Sequence, residues 1–588
     1  MKKISGIITL VILTFSFTSC NNYLDRTPLD KNSDATNWTS EAALETYAWS
    51  LYENFSGYGN GWTRGQYLST GLTDDYCSDG YVQPTQNIPS SSSTWNNGYT
   101  EIRRANILLN RVDRIPDLAE KNANHWRGVA RFFRGMKHFE LVRVYGDIVW
   151  IDSEIDIDDA AALSRKRDNR VEVMKKVCED LEFAGNNCRF TTDNTVNDMS
   201  AWALLARAAL FEGAWQKYQK GNTEDAKYFY DKAKMAADKI ISSGKYTIHN
   251  DYLKNYISKS LVGNSEMILF KVYSHTAEGA KVTHAHAMQG WSNSSSKSWG
   301  LTKSAVESFA NSDGLPIYMG TFSDATLADV FKNRDARLSL IVDPDVLCPV
   351  GYAYKEGINS STGYWTDKLV DWNDYGTSTW LAPNNTTDAP IYTYAEVLLN
   401  YAEACAESED LGGSAMTQND LDRSVNELRI KHGKLPKLTY AGKGIVSVNG
   451  ITITADPKNK TGISNMLWEL RRERRSELMC DGFRYFDLMR WKLGSLLDFT
   501  KNPECCLGAS LDAIKAFYEA TKDEELYKDK KYSDIIDGNF WSSDNKYLSA
   551  FNQAKNNRVF DENRHYLEPI PSTQITLNPN LLPQNPGW

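Results

Sequence analysis

Five tryptophans in polar stretches rich in glycine, serine and asparagine are the residues of this chain with the most distinctive chemistry. Sugars offer apolar C–H faces ringed by hydroxyl groups, so proteins bind them by stacking aromatic rings on those faces and placing amide, carboxylate or guanidinium groups at the rim. Each tryptophan has such neighbours, and the glycan-binding candidates are Trp62, Trp95, Trp291, Trp299 and Trp372. The alternative for each is a ring packed beneath its own loop.

Carboxylates near these rings raise a second possibility, glycoside hydrolysis, which uses two carboxyl groups beside the scissile bond. Asp74, Asp75 and Asp371 are the candidates. The chain has 75 acidic residues, however, so a carboxylate beside a tryptophan is expected without catalysis. Neither a G-x-S-x-G nucleophile motif nor a Walker A loop occurs. We therefore expect a binding protein without catalytic residues or a cofactor.

Metal and nucleic-acid chemistry have little support in the sequence. His284 and His286 have a spacing that a strand could turn into a metal-binding pair, but no third ligand accompanies them, so we expect ordinary loop histidines and no metal site. The cysteines after residue 20 form no C-x-x-C pair and indicate neither a zinc site nor a disulfide framework. The formal net charge of -9 argues against binding to nucleic-acid phosphates.

The amino terminus has the pattern of a secretory signal. Lys2 and Lys3 precede an apolar run over residues 7–17, which is too short to span a bilayer, and small residues then lead to Cys20. This arrangement resembles a bacterial lipobox, so we predict that residues 1–19 are removed and that Cys20 is acylated and anchors the protein to the outer membrane, facing the exterior. The alternative is an ordinary cleaved signal with an unrelated cysteine nearby.

Elements that would position these residues are predicted by hydrophobic periodicity. Trp202, Leu205, Ala206 and Ala209 recur at three- and four-residue steps, a pattern typical of helices that pack closely through small residues. Such paired helices are typical of tetratricopeptide-like (TPR-like) repeats. We predict a mainly α single domain over residues 20–588, a TPR-like scaffold with a large loop-rich ligand-binding face. The main helical segments are 99–145, 200–243, 391–432 and 464–491, and the loop-rich face is mainly 56–98 and 245–390.

The segment 471–491 carries the most specific pattern, RRERRSEL followed by DGFRYFDLMRW. It resembles the C-terminal signature of the SusD/RagB family. The LDRTP sequence after Cys20, the spacing of Trp95, Tyr99, Ile102 and Asn106, and the PQNPGW ending also resemble the family, so the resemblance runs from end to end. It implies a surface lipoprotein of Bacteroidetes that captures oligosaccharides and delivers them to a SusC-like TonB-dependent transporter. It also implies TPR-like helices beneath a variable ligand face.

The same segment also has a direct physical interpretation. Glu469, Glu473 and Glu477 recur at four-residue steps among arginines, so carboxylates and guanidinium groups can pair on neighbouring helix faces. A nucleic-acid patch is the alternative, but the interspersed glutamates and the predicted export argue against it. We predict a structural role, with a charged helix followed by an aromatic wedge that docks onto the repeats.

The sequence thus predicts a surface glycan-binding protein with a transporter partner and no nucleic-acid partner. A surface adhesion or interaction protein built on TPR-like repeats, with a macromolecular ligand, is the alternative from another class, and a glycoside hydrolase is a third. No sequence pattern identifies the glycan, and a peptide is an alternative ligand.

Overall fold

Helices whose apolar residues recur at three- and four-residue steps form most of the structure. The protein is represented by a computed structural model, and Cys20, Trp62, His286 and Trp291 lie outside its described residues. The structure describes residues 37–61, 63, 65, 71, 73–78, 84–275, 282–285, 299–380, 383–550 and 558–588.

The helices of the described chain are numbered in chain order. They are α1 Glu41–Trp49, α2 Ser93–Val112, α3 Glu120–Tyr145, α4 Ala160–Leu163, α5 Arg170–Asn187, α6 Asp198–Ala214, α7 Thr223–Ser243, α8 Lys254–Ile257, α9 Lys303–Ser308, α10 Leu327–Phe331, α11 Ala336–Ile341, α12 Tyr394–Asp410, α13 Gln418–Asp422, α14 Val425–Lys431, α15 Asn465–Glu477, α16 Arg484–Arg490, α17 Leu511–Thr521, α18 Tyr532–Gly538 and α19 Ser572–Leu577.

Long helices stack one on the next in the order α2, α3, α5, α6, α7, α12 and α15. The predicted segments 99–145, 200–243, 391–432 and 464–491 all contain members of this stack, so the mainly α fold predicted from the sequence is confirmed. Helix α5 was not among the predicted segments, although Val173, Val177 and Leu181 are buried at the same four-residue spacing. Within the described chain, every helix is too short or too polar to cross a membrane.

Small residues allow these helices to approach closely. In α6, Ala203, Ala206 and Ala209 are buried, and Trp202 is only 5% exposed. A Cβ atom added at Gly185 of α5 would lie 2.4 Å from the Trp202 ring. Because real Cβ contacts are never that short, only glycine lets α5 sit against this tryptophan.

Strands of the described chain are short and antiparallel, and they form sheets of two or three strands. They are β1 Tyr76–Ser78, β2 Met267–Lys271, β3 Trp299–Leu301, β4 Val342–Leu347, β5 Tyr364–Thr366, β6 Ala389–Thr393, β7 Thr439–Tyr440, β8 Val446–Val448, β9 Ile451–Thr452, β10 Leu507–Ser510, β11 Phe540–Trp541 and β12 Tyr547–Ser549. The regions predicted as loop-rich contain β1 to β6 and the short helices α8 to α11, joined by irregular chain. That these loops form a ligand face, and that 20–588 is one domain, stay predictions.

Candidate functional site

One loop after β5 gathers several aromatic rings into a cluster, called here the Trp372 cluster. The rings of Trp372 and Trp380 lie 5.4 Å apart between centroids, and Tyr375 lies 5.1 Å from Trp380 and 5.9 Å from Trp372. Trp365 and Tyr354 contact Trp372 edge-on at 5.6 Å and 6.3 Å. Edge-to-face contacts of this kind stabilise aromatic pairs beyond the area they bury. The sequence predicted Trp372 as a site residue, and the structure adds its four neighbours.

The rings of the cluster form a buried layer and an outer layer. Trp365 and Trp380 are 1% and 5% exposed, whereas Tyr375 is 40% exposed and Trp372 is half-buried. Tyr375 follows the short turn Trp372–Asp374, in which the backbone N–H of Asn373 donates to the carboxylate of Asp371. The outer rings are therefore held in place by rigid aromatic packing beneath them, while part of their surface stays in water.

Polar groups surround the outer rings and fix their orientation. The indole Nε1 of Trp372 donates a hydrogen bond of 3.0 Å to Asp367. Burial, with a smaller contribution from Asp343, raises the pKa of Asp367 to about 7. The Lys355 ammonium lies 5.4 Å from the Trp372 ring and 5.6 Å from Tyr375, and Asn373 is exposed on the same turn. Exposed rings bordered by amide and ammonium groups are the arrangement that sugar recognition needs.

Two of the predicted tryptophans do not lie in loops. Trp95 is in helix α2, is 4% exposed and packs against Tyr99 and Tyr145. Trp299 is in strand β3, is 6% exposed and stacks on Tyr76 at 5.7 Å with nearly parallel rings. The loop assignment of both was wrong because polar neighbours in sequence do not reveal which face of a helix or strand is covered. Neither ring has a free face for a sugar.

The described structure does not test the other two tryptophans. Trp62 and Trp291 lie outside the described residues and stay predicted glycan-binding residues.

The carboxylates considered for catalysis are already paired. Asp74 and Asp75 are 3% and 2% exposed. Arg484 donates two hydrogen bonds of 2.9 Å to Asp74, and Arg475 donates one of 2.6 Å to Asp75. Burial alone would raise the pKa of Asp74, but Arg484 and Arg475 outweigh it and hold that pKa well below its usual value. Both groups therefore serve as buried anchors for the two arginines rather than as groups open to a substrate.

The charged helix α15 is a buried structural element, as the sequence predicted. Glu469, Glu473 and Glu477 are at most 2% exposed. The predicted pairing of carboxylates with arginines of the same helix is confirmed only for Arg472, which donates to Glu469 at 3.1 Å. Glu473 and Glu477 instead pair with side chains from α11, from α14 and from His432 just after α14, because that face of α15 packs against those helices.

The aromatic wedge that follows α15 docks onto the repeats as predicted. Trp491 donates its indole N–H to Glu403 of α12 at 2.8 Å. Arg490 donates to both oxygens of the same carboxylate at 2.6 Å and 2.7 Å. The guanidinium of Arg471 lies 4.3 Å from the Trp491 ring. A bidentate charged pair thus fixes this segment to α12, and the cation–π contact fixes it to α15.

The histidine candidate from the sequence is a buried structural residue. His284 has no exposed surface, and its Nε2 lies 2.9 Å from the carbonyl oxygen of Thr387. Burial lowers the pKa of His284 to about 4, so the ring is neutral at physiological pH.

A second group of potential metal ligands, missed in the sequence, consists of His249, Glu266 and His432. Nε2 of His432 lies 3.2 Å from Oε1 of Glu266, and its Nδ1 lies 2.7 Å from Oε1 of Glu477. The two carboxylates outweigh the effect of burial and raise the pKa of His432 to about 9. Both ring nitrogens of His432 thus face carboxylate oxygens, so the contacts in this group are those of a buried ion-pair network.

This network predicts a pH dependence of stability. The folded pKa of His432 is raised, so its stabilising contribution is complete below the unfolded pKa near 6.5 and is lost as the pH rises through 9. The shift corresponds to about 3 kcal/mol at most. We expect urea unfolding curves of the wild type to lose stability between pH 6.5 and 9, and those of His432→Gln to lose less. Parallel pH profiles for the two proteins would show that His432 is not charged in the fold.

Comparison with known proteins shows which family this chain belongs to. A family model described as "SusD family" matches residues 349–588, and one described as "Starch-binding associating with outer membrane" matches residues 22–230. The chain belongs to the SusD/RagB family. A SusD-like protein of Bacteroides ovatus is 22% identical over 83% of this chain and 82% of its own length. The SusD-like protein P2 of Formosa agariphila is 24% identical over the full length of both chains.

Solved structures show the same fold. A SusD-like carbohydrate-binding protein of Bacteroides fragilis covers 93% of this chain with all of its own, at a TM-score of 0.67 and 18% identity. A laminarin-binding SusD-like protein covers 94% of this chain with all of its own, at a TM-score of 0.55 and 16% identity. The helical scaffold of the family is therefore shared at low sequence identity, and the identity of any ligand is a separate question.

Proposed function

We propose that this protein is a cell-surface lipoprotein that captures oligosaccharides and delivers them to a partner TonB-dependent transporter of the outer membrane. The observation that carries the glycan-binding part is the Trp372 cluster, with an exposed Tyr375 and a half-buried Trp372 over a rigid aromatic layer. The family description names starch, and one structural relative binds laminarin. Both ligands are neutral glucans, which suits rings that stack on the C–H faces of sugars.

Binding at the Trp372 cluster would use stacking for affinity and the polar rim for orientation. For a pyranose ring placed on Tyr375, the polar partners would be Lys355, whose ammonium lies 5.6 Å from the centre of that ring, and Asn373, which is exposed on the same turn. Because Trp380 and Trp365 are packed beneath, little conformational freedom is lost on binding. The site therefore fits a pre-formed platform for a short stretch of glycan.

We also propose that the protein binds its glycan without hydrolysing it. Asp74 and Asp75 are committed to Arg475 and Arg484, and Asp371 accepts hydrogen bonds from Asn373 of its own turn. Retaining glycosidases need two carboxyl groups that flank the scissile bond. Inverting glycosidases need two carboxyl groups that lie further apart, because a water molecule must fit between one of them and the sugar. The three carboxylates considered from the sequence, Asp74, Asp75 and Asp371, are held by these partners and so do not supply such a pair.

Replacing Tyr375 or Trp372 by Ala tests the proposed site. Each change removes a stacking face, and the loss of stacking and apolar contact together should weaken the Kd for a bound oligosaccharide at least about tenfold. The measurement is isothermal titration calorimetry of each variant against laminari- and malto-oligosaccharides. Tyr375→Ala should keep the melting temperature of the wild type because this ring is an outer one.

Trp49→Ala is the matched control, since Trp49 of α1 is 50% exposed and lies outside the cluster. It should leave binding unchanged. Wild-type affinity in both cluster variants would exclude the Trp372 cluster as the binding site.

A further inference from the structure

A cavity of about 520 Å³ lies on the repeat scaffold, away from the Trp372 cluster, and shares no lining residue with it. Its walls come from α3, α6 and α16, and include Phe139, Phe211 and Phe486. A second cavity of about 450 Å³ shares Arg143 and Phe486 with the first. Volumes in this range are typical of small-molecule sites, which run from about 300 to 1,000 Å³.

Four arginines line the larger cavity, and three of them have carboxylate partners. Arg207 donates twice to Glu396 at 2.6 Å. In the same way, Arg474 pairs with Asp487 at 2.8 Å, and Arg490 pairs with Glu403 at 2.6 Å.

Arg143 is the exception among these four. It forms no hydrogen bond or ion pair with any residue in the described part of the chain. The nearest acid on its own helix, Glu140, pairs with Lys137 at 2.8 Å. The Arg143 guanidinium lies 3.6 Å from the centroid of the Phe486 ring and 5.4 Å from that of Phe139.

The Arg143 side chain is half-buried, and its Nε is buried without a hydrogen-bond partner. Charged groups that are removed from water in proteins are normally paired, because the loss of hydration is otherwise uncompensated. Burial lowers the pKa of Arg143 to about 10, which is the direction expected for a cation that lacks a counter-ion. The stacking on Phe486 holds the guanidinium plane in one orientation and leaves its N–H edge for an acceptor.

We propose that this cavity binds the carboxylate of an acidic sugar, such as a hexuronate, through a bidentate pair with Arg143. One guanidinium matches one carboxylate in charge and shape. A dianionic phosphate fits less well, because Glu140 also lines the cavity and would repel the second charge. The aromatic walls suit the apolar face of a pyranose ring. The choice of a sugar rests on the proposed function, whereas the carboxylate rests on Arg143 alone.

The experiment is calorimetry of the mature protein with glucuronate and galacturonate, with glucose as the neutral comparison. We expect saturable binding of at least one uronate by the wild type and binding at least tenfold weaker for Arg143→Gln. Arg127→Gln is the control, because Arg127 lies on the same helix and pairs with the exposed acids Asp113 and Glu120. It should bind like the wild type. Absence of uronate binding by the wild type, or equal binding by Arg143→Gln, would overturn the proposal.

Two further variants separate this site from folding and from the Trp372 cluster. Arg143→Gln breaks no ion pair, so it should melt near the wild-type temperature, whereas Arg134→Gln on the same helix breaks a buried pair with Asp180 and should melt lower. If Arg143→Gln does not fold, Arg143→Lys replaces it and should bind uronate more weakly, since an ammonium cannot form the bidentate pair. Tyr375→Ala should bind uronate like the wild type. If Tyr375→Ala loses the binding of neutral glycans but still binds uronate, the Arg143 site is separate from the Trp372 cluster.

Discussion

Replacing Arg337 by Met should lower the free energy of unfolding by about 3 to 5 kcal/mol, the range for breaking one partner out of a buried ion network. Arg337 has no exposed surface. It donates to Asp335 at 2.5 Å and to Glu473 and Glu477 at 2.9 Å each. Without it, three carboxylates stay buried with too little positive charge: Glu473 keeps its ion pair with Arg429 and Glu477 keeps His432, whereas Asp335 keeps no ion pair among the described residues. Chemical denaturation followed by tryptophan fluorescence is the measurement.

Arg127→Met is the matched control for Arg337→Met. Its partners Asp113 and Glu120 have side chains 69% and 75% exposed, and exposed pairs typically contribute only about 0 to 1 kcal/mol. A variant at Arg337 that unfolds at the same denaturant concentration as the control would show that the network does not hold α11, α14 and α15 together.

Replacing Cys20 by Ala should release the protein from the membrane fraction completely. Cys20 follows a short apolar run and two small residues, and two or more acyl chains on one residue give stable anchoring that a single chain does not. The measurement is metabolic labelling with a radioactive fatty acid in cells that express the full chain, followed by separation of membranes. Wild-type protein should carry the label and sediment with the outer membrane.

Cys77→Ala serves as the control for the labelling, since Cys77 is buried and has no access to an acylating enzyme. This variant should keep both the label and the membrane location. Label retained in Cys20→Ala, or wild-type protein recovered without label, would contradict the lipid anchor.

The repeat helices were predictable because their signal is local. Residues such as Trp202 and Ala206 recur with the period of a helix, and burial follows directly from that period. The partners of α15 were not predictable in the same way. Glu473 pairs with Arg337 and Arg429, which lie 136 and 44 residues away in sequence. Nothing in the spacing around Glu473 indicates either partner.

The candidate site was predictable only in part. Trp372 stood out by its polar neighbours, and the aromatic density of its loop, with Tyr375 and Trp380 close behind, was a signal that could have revealed the whole cluster. Trp95 and Trp299 had similar neighbours but are covered by other elements. Exposure depends on tertiary packing, so composition alone cannot separate a platform from a core residue. The isolation of Arg143 is likewise visible only when the partners of the other arginines are known.

Direct titration of the mature protein with neutral oligosaccharides is the measurement that tests the central claim most directly. Laminari-, malto-, xylo- and manno-oligosaccharides would be titrated by calorimetry, with tryptophan fluorescence as a second readout because Trp372 and Trp380 are part of the proposed site. We predict saturable heat and a fluorescence change for at least one of these glycans. The absence of both with every glycan, in protein that unfolds cooperatively on heating, would contradict the proposal that this protein captures neutral oligosaccharides.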